Sequence, residues 1–348
     1  LQQLGAEVIL VPVSRGPAAN QKMPVPVLAA PPSRVHYLLD GLSVAKRVQT
    51  ILAERQVDAV LSWAHEAAFL PKFLRLKGVT FGMIAASPSY RLWVDRKTNL
   101  QILKSVTDEW FRWRPLRQAD AVFVSSSFTQ KELITLFQLE HNRIFTVHRG
   151  IDIKFSQVQR SFTGEVSNFI FYGSLEPLKG IFDAITALGR VSNRGWRNWV
   201  LKVAGWGDEE SIRQALREHK IDDRVILLGR LEPEELMQEL AWANLAILPS
   251  QAESFGRAIA EAQASGLPVV SYEVGSVPEV VEKGVTGWLT PLGRVDLLAE
   301  AIIEAMQNPE KSFQMGLAGR ERVTQLFSWE QTAMAILDAI EEAKRRQT

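Results

Sequence analysis

The chain has 348 residues, enough for two domains with full cores. Its 40 Lys+Arg against 39 Asp+Glu leave a net charge of +1, so nothing in the overall charge calls for nucleic acid as a partner. With no cysteine, disulfides, thiolate catalysis and Cys-ligated zinc are excluded, and a reducing cytoplasm is compatible with the composition.

In chain order, "LQQLGAEVILVPV" reads as the end of a helix, a turn at Gly5 and a buried strand. The numbering is therefore expected to start inside a βαβ unit, without its first strand and following loop. The five prolines of "GPAANQKMPVPVLAAPPS" (16–33) predict an irregular loop where a strand leaves the sheet. A helical run at 41–56 precedes "DAVLSW" (58–63), and "VTFGMIAAS" (79–87), "ADAVFVSSS" (119–127) and "RIFTVHRG" (143–150) follow. A second series runs through "NFIFYGSL" (168–175), "WVLKVAGWG" (199–207), "RVILLGRL" (224–231), "NLAILPS" (244–250) and "LPVVSYEVG" (267–275). Strands apolar along their whole length, separated by helix-length segments, predict parallel sheets covered on both faces. The expected fold class is α/β, with two Rossmann-like domains.

The polar stretch 151–167 reads as the interdomain linker. The domains predicted on either side are 1–155 and 166–326, followed by one amphipathic helix over 327–348. No apolar run approaches the roughly 18–20 residues that span a bilayer, and no signal-peptide pattern is present.

"ESFGRAIAE" (253–261) poses the functional question. A helix is predicted to begin at Ser254 to Gly256 and to stop at Gly266, before Pro268. Arg257 in its first turn faces the positive end of the helix dipole, which disfavours a cation unless an anion lies beside it. The helix start sits at the carboxyl edge of a parallel sheet, where free amides suit a phosphate and Gly256 permits close approach. Lys179, before the helix in "GIFDAITAL", is a second cation in the same kind of place. Glu261 is positioned to accept from a ribose diol and Glu253 from sugar hydroxyls. The alternative is a solvated helix residue and a turn residue.

The stretch from Glu253 to Pro291, with its E-x7-E pair Glu253 and Glu261, resembles the donor-site signature of retaining glycosyltransferases of the GT-B fold, family 4. "FYGSLEPLKG" (171–180), "VAGWGDEE" (203–210), "VILLGRLEPEEL" (225–236) and "FSWE" (327–330) match the same family. Over 1–150 the likeness rests on strand order, "ADAVFVSSS" and "HRGID". The resemblance implies two domains facing across a cleft, with the last helix crossing back to the first. It implies a hexosyltransferase using a UDP- or GDP-sugar, with retention, on an unidentified glycan, lipid-linked or small-molecule acceptor. It also implies that Glu253 contacts the donor sugar, Glu261 the ribose, and Lys179 the diphosphate. The amides of Phe255, Gly256, Arg257 and Ala258 would bind sugar and diphosphate, beside Gly173 and Ser174, with the base near Arg230 and Leu231.

Three departures stand out. Ser174 replaces an arginine usual in the family, and Arg257 stands at a usually apolar position, where it is expected to supply the missing charge. Ala85, Ala86 and Ser87 occupy the place of a usual histidine, leaving His65 as the acceptor-side candidate. The Gly-rich loop after the first strand is not among these residues. These departures favour the alternative function, a nucleotide-sugar-binding or scaffold protein with impaired turnover.

Other constellations carry less. No D-x-D triplet occurs, and the five histidines (36, 65, 141, 148 and 219) show no metal-ligand spacing, so no metal or other cofactor is expected. The "GWGDEE" loop lacks the third glycine of a dinucleotide fingerprint, and no G-x-S-x-G elbow is present. A glycosidase reading of the paired glutamates fails on reach, since eight helical residues advance about 12 Å. Ser276 with Glu279, and Ser127 with Gln130, fit helix-capping patterns. "DEWFRWRPLRQ" (108–118) mixes Trp110, Phe111 and Trp113 with Arg112, Arg114 and Arg117. It reads either as a peripheral contact with the inner face of a membrane, suited to a lipid-linked acceptor, or as a helix packing its aromatics on the sheet.

Overall fold

The structure is a computed structural model that describes residues 38–63, 74, 78–85 and 114–347. The chain divides into two units, one of Leu1–Val147 with Glu330–Thr348 and one of His148–Trp329.

In the first unit, β1 (Ala59–Trp63), β2 (Thr80–Ala85), β3 (Ala121–Val124) and β4 (Ile144–Thr146) form a parallel sheet in that order. Its centre is dry: Phe81, Met83 and all of β3 are buried. The helix Ser127–Phe137 is capped one residue earlier than the sequence pattern suggests. Ser126 Oγ accepts from Thr129 N at 3.1 Å, and the Gln130 side chain donates to the Ile144 carbonyl at 2.9 Å. The helix Trp329–Arg345 closes this unit by setting Ala339 and Ala343 against Ala121, Phe123 and Val147. Small residues on that stripe let helix and sheet approach closely.

The second unit carries the larger sheet, order β10-β9-β8-β5-β6-β7, parallel throughout. Its strands are β5 (Asn168–Ser174), β6 (Val200–Trp206), β7 (Val225–Gly229), β8 (Leu245–Ile247), β9 (Val269–Tyr272) and β10 (Gly287–Thr290). The edge strand β10 is not evident in the sequence, because four residues between turns carry no periodicity. The strand order reverses between β5 and β8, and in open α/β sheets the crevice outside the carboxyl ends at such a point is where ligands bind.

The stretch 151–167 corrects the linker expectation, since it belongs to the second unit. Phe155, Val158 and Val166 are buried there at spacings that follow no period. Arg160, from the same stretch, donates to the carbonyls of Leu240, Ala241 and Ala243 at 3.0, 3.1 and 2.7 Å, and to Gly266 at 3.3 Å. Arg320 donates to Val158 and Ser265 carbonyls at 2.6 and 2.8 Å. Two guanidinium groups thus satisfy carbonyls left open at the C-terminal ends of the helices Pro233–Trp242 and Arg257–Ala264. Burial, with repulsion from Arg320, lowers the Arg160 pKa to about 10. Arg160→Met is expected to destabilise the protein by roughly 2–3 kcal/mol, read from the urea midpoint, because carbonyls at both helix ends lose a charged donor.

Candidate active site

The carboxyl ends of β5 and β6 are drawn together by glycines. Gly173 pairs with Gly205 and Ser174 with Trp206, and a Cβ on Gly205 would lie 1.8 Å from the Gly173 carbonyl oxygen. After β5 the chain makes a tight turn over Pro177–Lys179 and enters the helix Ile181–Asn193 through Gly180 at φ 79°. The segment after β8 is bonded to this turn, with Gln251 N donating to the Leu178 carbonyl at 2.8 Å. Lys179 and Glu253 are thereby brought face to face: Lys179 Nζ donates to Glu253 Oε1 at 2.7 Å, with Glu253 only 11% exposed.

The Glu253 backbone is fixed separately. Its carbonyl accepts from Ser276 N at 3.3 Å and Ser276 Oγ at 3.4 Å, under Gly275 at φ 52°. This corrects the capping expectation for Ser276 and Glu279. The Ser276 hydroxyl makes no cap bond to its own four-residue helix, and Glu279 Oε2 lies 3.3 Å from His148 Nε2. Phe255 is buried edge-on to Phe327 at 5.4 Å, and Phe327 meets the His148 ring at 5.2 Å.

The helix begins at Arg257, later than the sequence pattern suggests, with Gly256 left-handed (φ 83°, ψ 50°) as an N-cap that offers no side-chain acceptor. The amides of Arg257, Ala258 and Ile259 donate to no acceptor among the described residues, as expected of a first turn without a cap. Tyr172 pins the turn from below through its hydroxyl on the Ala258 carbonyl at 2.5 Å. Arg257 has one anionic partner within the protein: its Nε donates to Glu261 Oε1 at 2.6 Å. Burial holds the Glu261 carboxyl above its usual range despite this pairing, and the bond to Glu261 raises the guanidinium pKa in turn. Burial, then the charge of Glu261, also pushes the Tyr172 phenol well up, so that its proton stays to hold the Ala258 carbonyl.

Of the predicted site residues, the structure brings Lys179 to Glu253 and Arg257 to Glu261, around Phe255, Gly256 and Ala258. Gly173 and Ser174 end the neighbouring strand. Arg230 and Leu231 follow β7, and the Arg230 guanidinium lies 5.7 Å from the Trp206 ring centroid. Trp206 is 61% exposed; its loop matches one that borders the donor in the family, but the indole itself did not stand out from the sequence. An indole flanked by Gly205 and Gly207 at a strand's carboxyl end was the available signal. Tyr172, Gly275 and Ser276 were also missed, because each acts through a backbone contact that no motif encodes. His65, Ala86, Ser87 and residues 108–113 lie outside the described residues. The remainder of that aromatic stretch forms the short helix Arg114–Gln118, in which Pro115 and Leu116 are buried. No helix among the described residues is long and apolar enough to cross a membrane.

Cationic side chains, unsatisfied helix amides and buried carboxylates at a topological switch point suit a ligand that carries both phosphate and hydroxyl groups. The family model for glycosyl transferases group 1 matches residues 152–322, and that for glycosyltransferase family 4 matches residues 1–155. Glycogen synthase of Mycobacterium tuberculosis is 30% identical over 287 residues, which is 81% of this chain and 67% of that protein. This chain belongs to the group 1 glycosyltransferases. The GDP-mannose-dependent alpha-(1-6)-phosphatidylinositol monomannoside mannosyltransferase of the same organism is 25% identical over 323 residues, 86% of this chain and 80% of that one. Among solved structures, Anabaena HepE in complex with UDP is similar at a TM-score of 0.73 and 20% identity, covering 91% of this glycosyltransferase and 86% of HepE. The group 1 glycosyltransferase described here has the α/β architecture of the GT-B fold, with a parallel sheet in each unit.

Proposed function

We propose that this glycosyltransferase moves a hexosyl residue from a UDP- or GDP-sugar to an acceptor hydroxyl, with retention at the anomeric carbon and without a metal. The observation that carries this reading is the pair of ion pairs, Lys179–Glu253 and Arg257–Glu261, set beside the free amides at the start of the helix Arg257–Ala264. Both nucleotide bases are supported by relatives, UDP by the complex of HepE and GDP by the name of the mannosyltransferase.

In this reading the acceptor oxygen bonds to the anomeric carbon as the bond from that carbon to the diphosphate oxygen breaks, negative charge builds on the leaving phosphate, and the acceptor hydroxyl's proton passes to it. Helix amides and the Lys179 ammonium stabilise that charge, and they are already oriented before the donor arrives. Glu253 keeps Lys179 in place and has a second carboxylate oxygen for a sugar hydroxyl. Gly256, without a side chain, leaves the amides open to the phosphates. The exposed Trp206 indole and the Arg230 guanidinium offer flat faces to the base.

The test is release of nucleoside diphosphate from a panel of UDP- and GDP-sugars, with and without mixed acceptors, in the presence of EDTA. NMR assigns the anomeric configuration of any product. We expect acceptor-dependent release that EDTA leaves unchanged and a product that keeps the donor's configuration. Donor binding with no release under any condition would instead support a binding or scaffold protein.

A further inference from the structure

The Arg257–Glu261 pair is only half used by the protein. Arg257 Nε donates to Glu261 Oε1, while the other guanidinium nitrogens and Glu261 Oε2 make no hydrogen bond among the described residues. The two partners differ in exposure, 62% for the Arg257 side chain against 8% for Glu261. An ionised carboxylate has about four acceptor sites. Glu261 Oε2 keeps contact with solvent although the side chain is largely buried, so donors of a ligand can take the place of water there.

We propose that Arg257 and Glu261 act as one two-ended reader of the nucleotide, in which the open edge of Arg257 donates to a phosphate oxygen while Glu261 Oε2 accepts from the ribose diol. This rests on the donor reading above and adds a coupling to it. Arg257 is a positioning residue for the diol as well as a ligand for the phosphate, because it sets both the direction and the charge of Glu261.

The electrostatics around Glu261 give the coupling its sign. Burial acts against the carboxylate and Asp152 adds to that, while Arg257 and Arg149 oppose it. Tyr172 faces the pair as a neutral phenol engaged with the Ala258 carbonyl. Without Arg257 only Arg149 remains on the favourable side, so the Glu261 carboxyl rises further and takes up a proton at a higher pH. A protonated Glu261 is a weaker acceptor for a diol, so without Arg257 binding weakens as pH falls and recovers as pH rises. The exposed guanidinium contributes little to the core, and Glu261→Gln keeps the buried shape, so both variants are expected to fold.

The experiment is titration calorimetry with UDP and GDP, followed by the tighter diphosphate and its nucleoside, from about pH 6 to 8.5. The proteins are the unmodified chain, Arg257→Ala, Glu261→Gln, the double variant and Lys179→Ala. Arg257→Ala is expected to weaken the diphosphate more than tenfold, on the order expected for losing a charge-assisted bond, and the nucleoside about fivefold at pH 7. The nucleoside loss should shrink as pH rises, and it should vanish when Arg257→Ala is made on the Glu261→Gln background. Unchanged nucleoside affinity in Arg257→Ala would mean that Arg257 serves the phosphate alone, and increased affinity that it merely covers Glu261; either overturns the coupling. The donor reading itself fails under a different result, if the unmodified protein binds neither diphosphate or if Lys179→Ala leaves diphosphate affinity unchanged.

Discussion

Lys179→Ala is expected to lower kcat/KM for donor turnover by on the order of a thousandfold while leaving the protein folded. Removing one oriented donor from a developing oxyanion costs about 10²–10³ in rate, and an ammonium carries a full charge where a backbone amide carries a partial one. A thousandfold corresponds to about 4 kcal/mol of transition-state stabilisation. The stability cost is smaller. Glu253 is 11% exposed and loses its cation, but Lys179 is 25% exposed and water can replace part of what the ammonium supplied. About 1–2 kcal/mol of folding stability is the expected loss. Steady-state kinetics beside thermal unfolding separate the two. Lys179→Arg should restore stability better than turnover, since it returns charge without the point geometry of the ammonium. If Lys179→Ala loses activity only in proportion to the fraction unfolded, the lysine is a structural partner of Glu253 and the leaving-group role is wrong.

The second large effect is expected from glycines that carry the site's backbone. At Gly180 an added Cβ would lie 1.9 Å from the Pro249 carbonyl oxygen, and at Gly275 2.1 Å from that of Glu253. Both residues also have positive φ, 79° and 52°. Gly256 shares the conformation, at φ 83°, but its nearest neighbour is Ile259 Cδ1 at 3.6 Å. Gly256→Ala should therefore cost only the left-handed strain, about 1 kcal/mol. Gly180→Ala and Gly275→Ala add a clash with backbone to that strain and should cost roughly 3 kcal/mol or more. For a chain of 348 residues that is a melting shift of about 4 °C or more. Gly275→Ala should also slow turnover beyond its effect on stability, because the loop segment bearing Glu253 must move to admit the methyl group. Equal costs at Gly180 and Gly256 would show that steric contact with Pro249 does not govern the position.

Strands β1 to β9 were legible because each is a short apolar run bounded by turn residues, and such runs bury on both faces of a parallel sheet. The edge strand β10 was not, since a short pairing at a sheet edge is decided by its neighbour, β9, and leaves no pattern of its own. The stretch 151–167 misled for a related reason. Its buried residues, Phe155, Val158 and Val166, sit among polar ones without any period, and Arg160 is polar only until helix carbonyls surround it. At the site, Arg257 and Lys179 stood out because a cation is unusual at a helix start, Gly256 because it permits close approach of the backbone, and Glu253 through the E-x7-E spacing it shares with Glu261.

The sequence by itself determined the α/β class through local periodicity, the family through the resemblance of its motifs, and the placing of two cations at predicted helix starts with two carboxylates eight residues apart. Only the tertiary structure decided which charge meets which. Lys179 and Glu253 lie 74 residues apart and meet because β5 and β8 are neighbours. Arg257 and Glu261 are near in sequence, yet their pairing matters because packing buries one and leaves the other open to solvent. Partnership between charges depends on distance and burial in the folded chain, and neither is a property of the residues themselves.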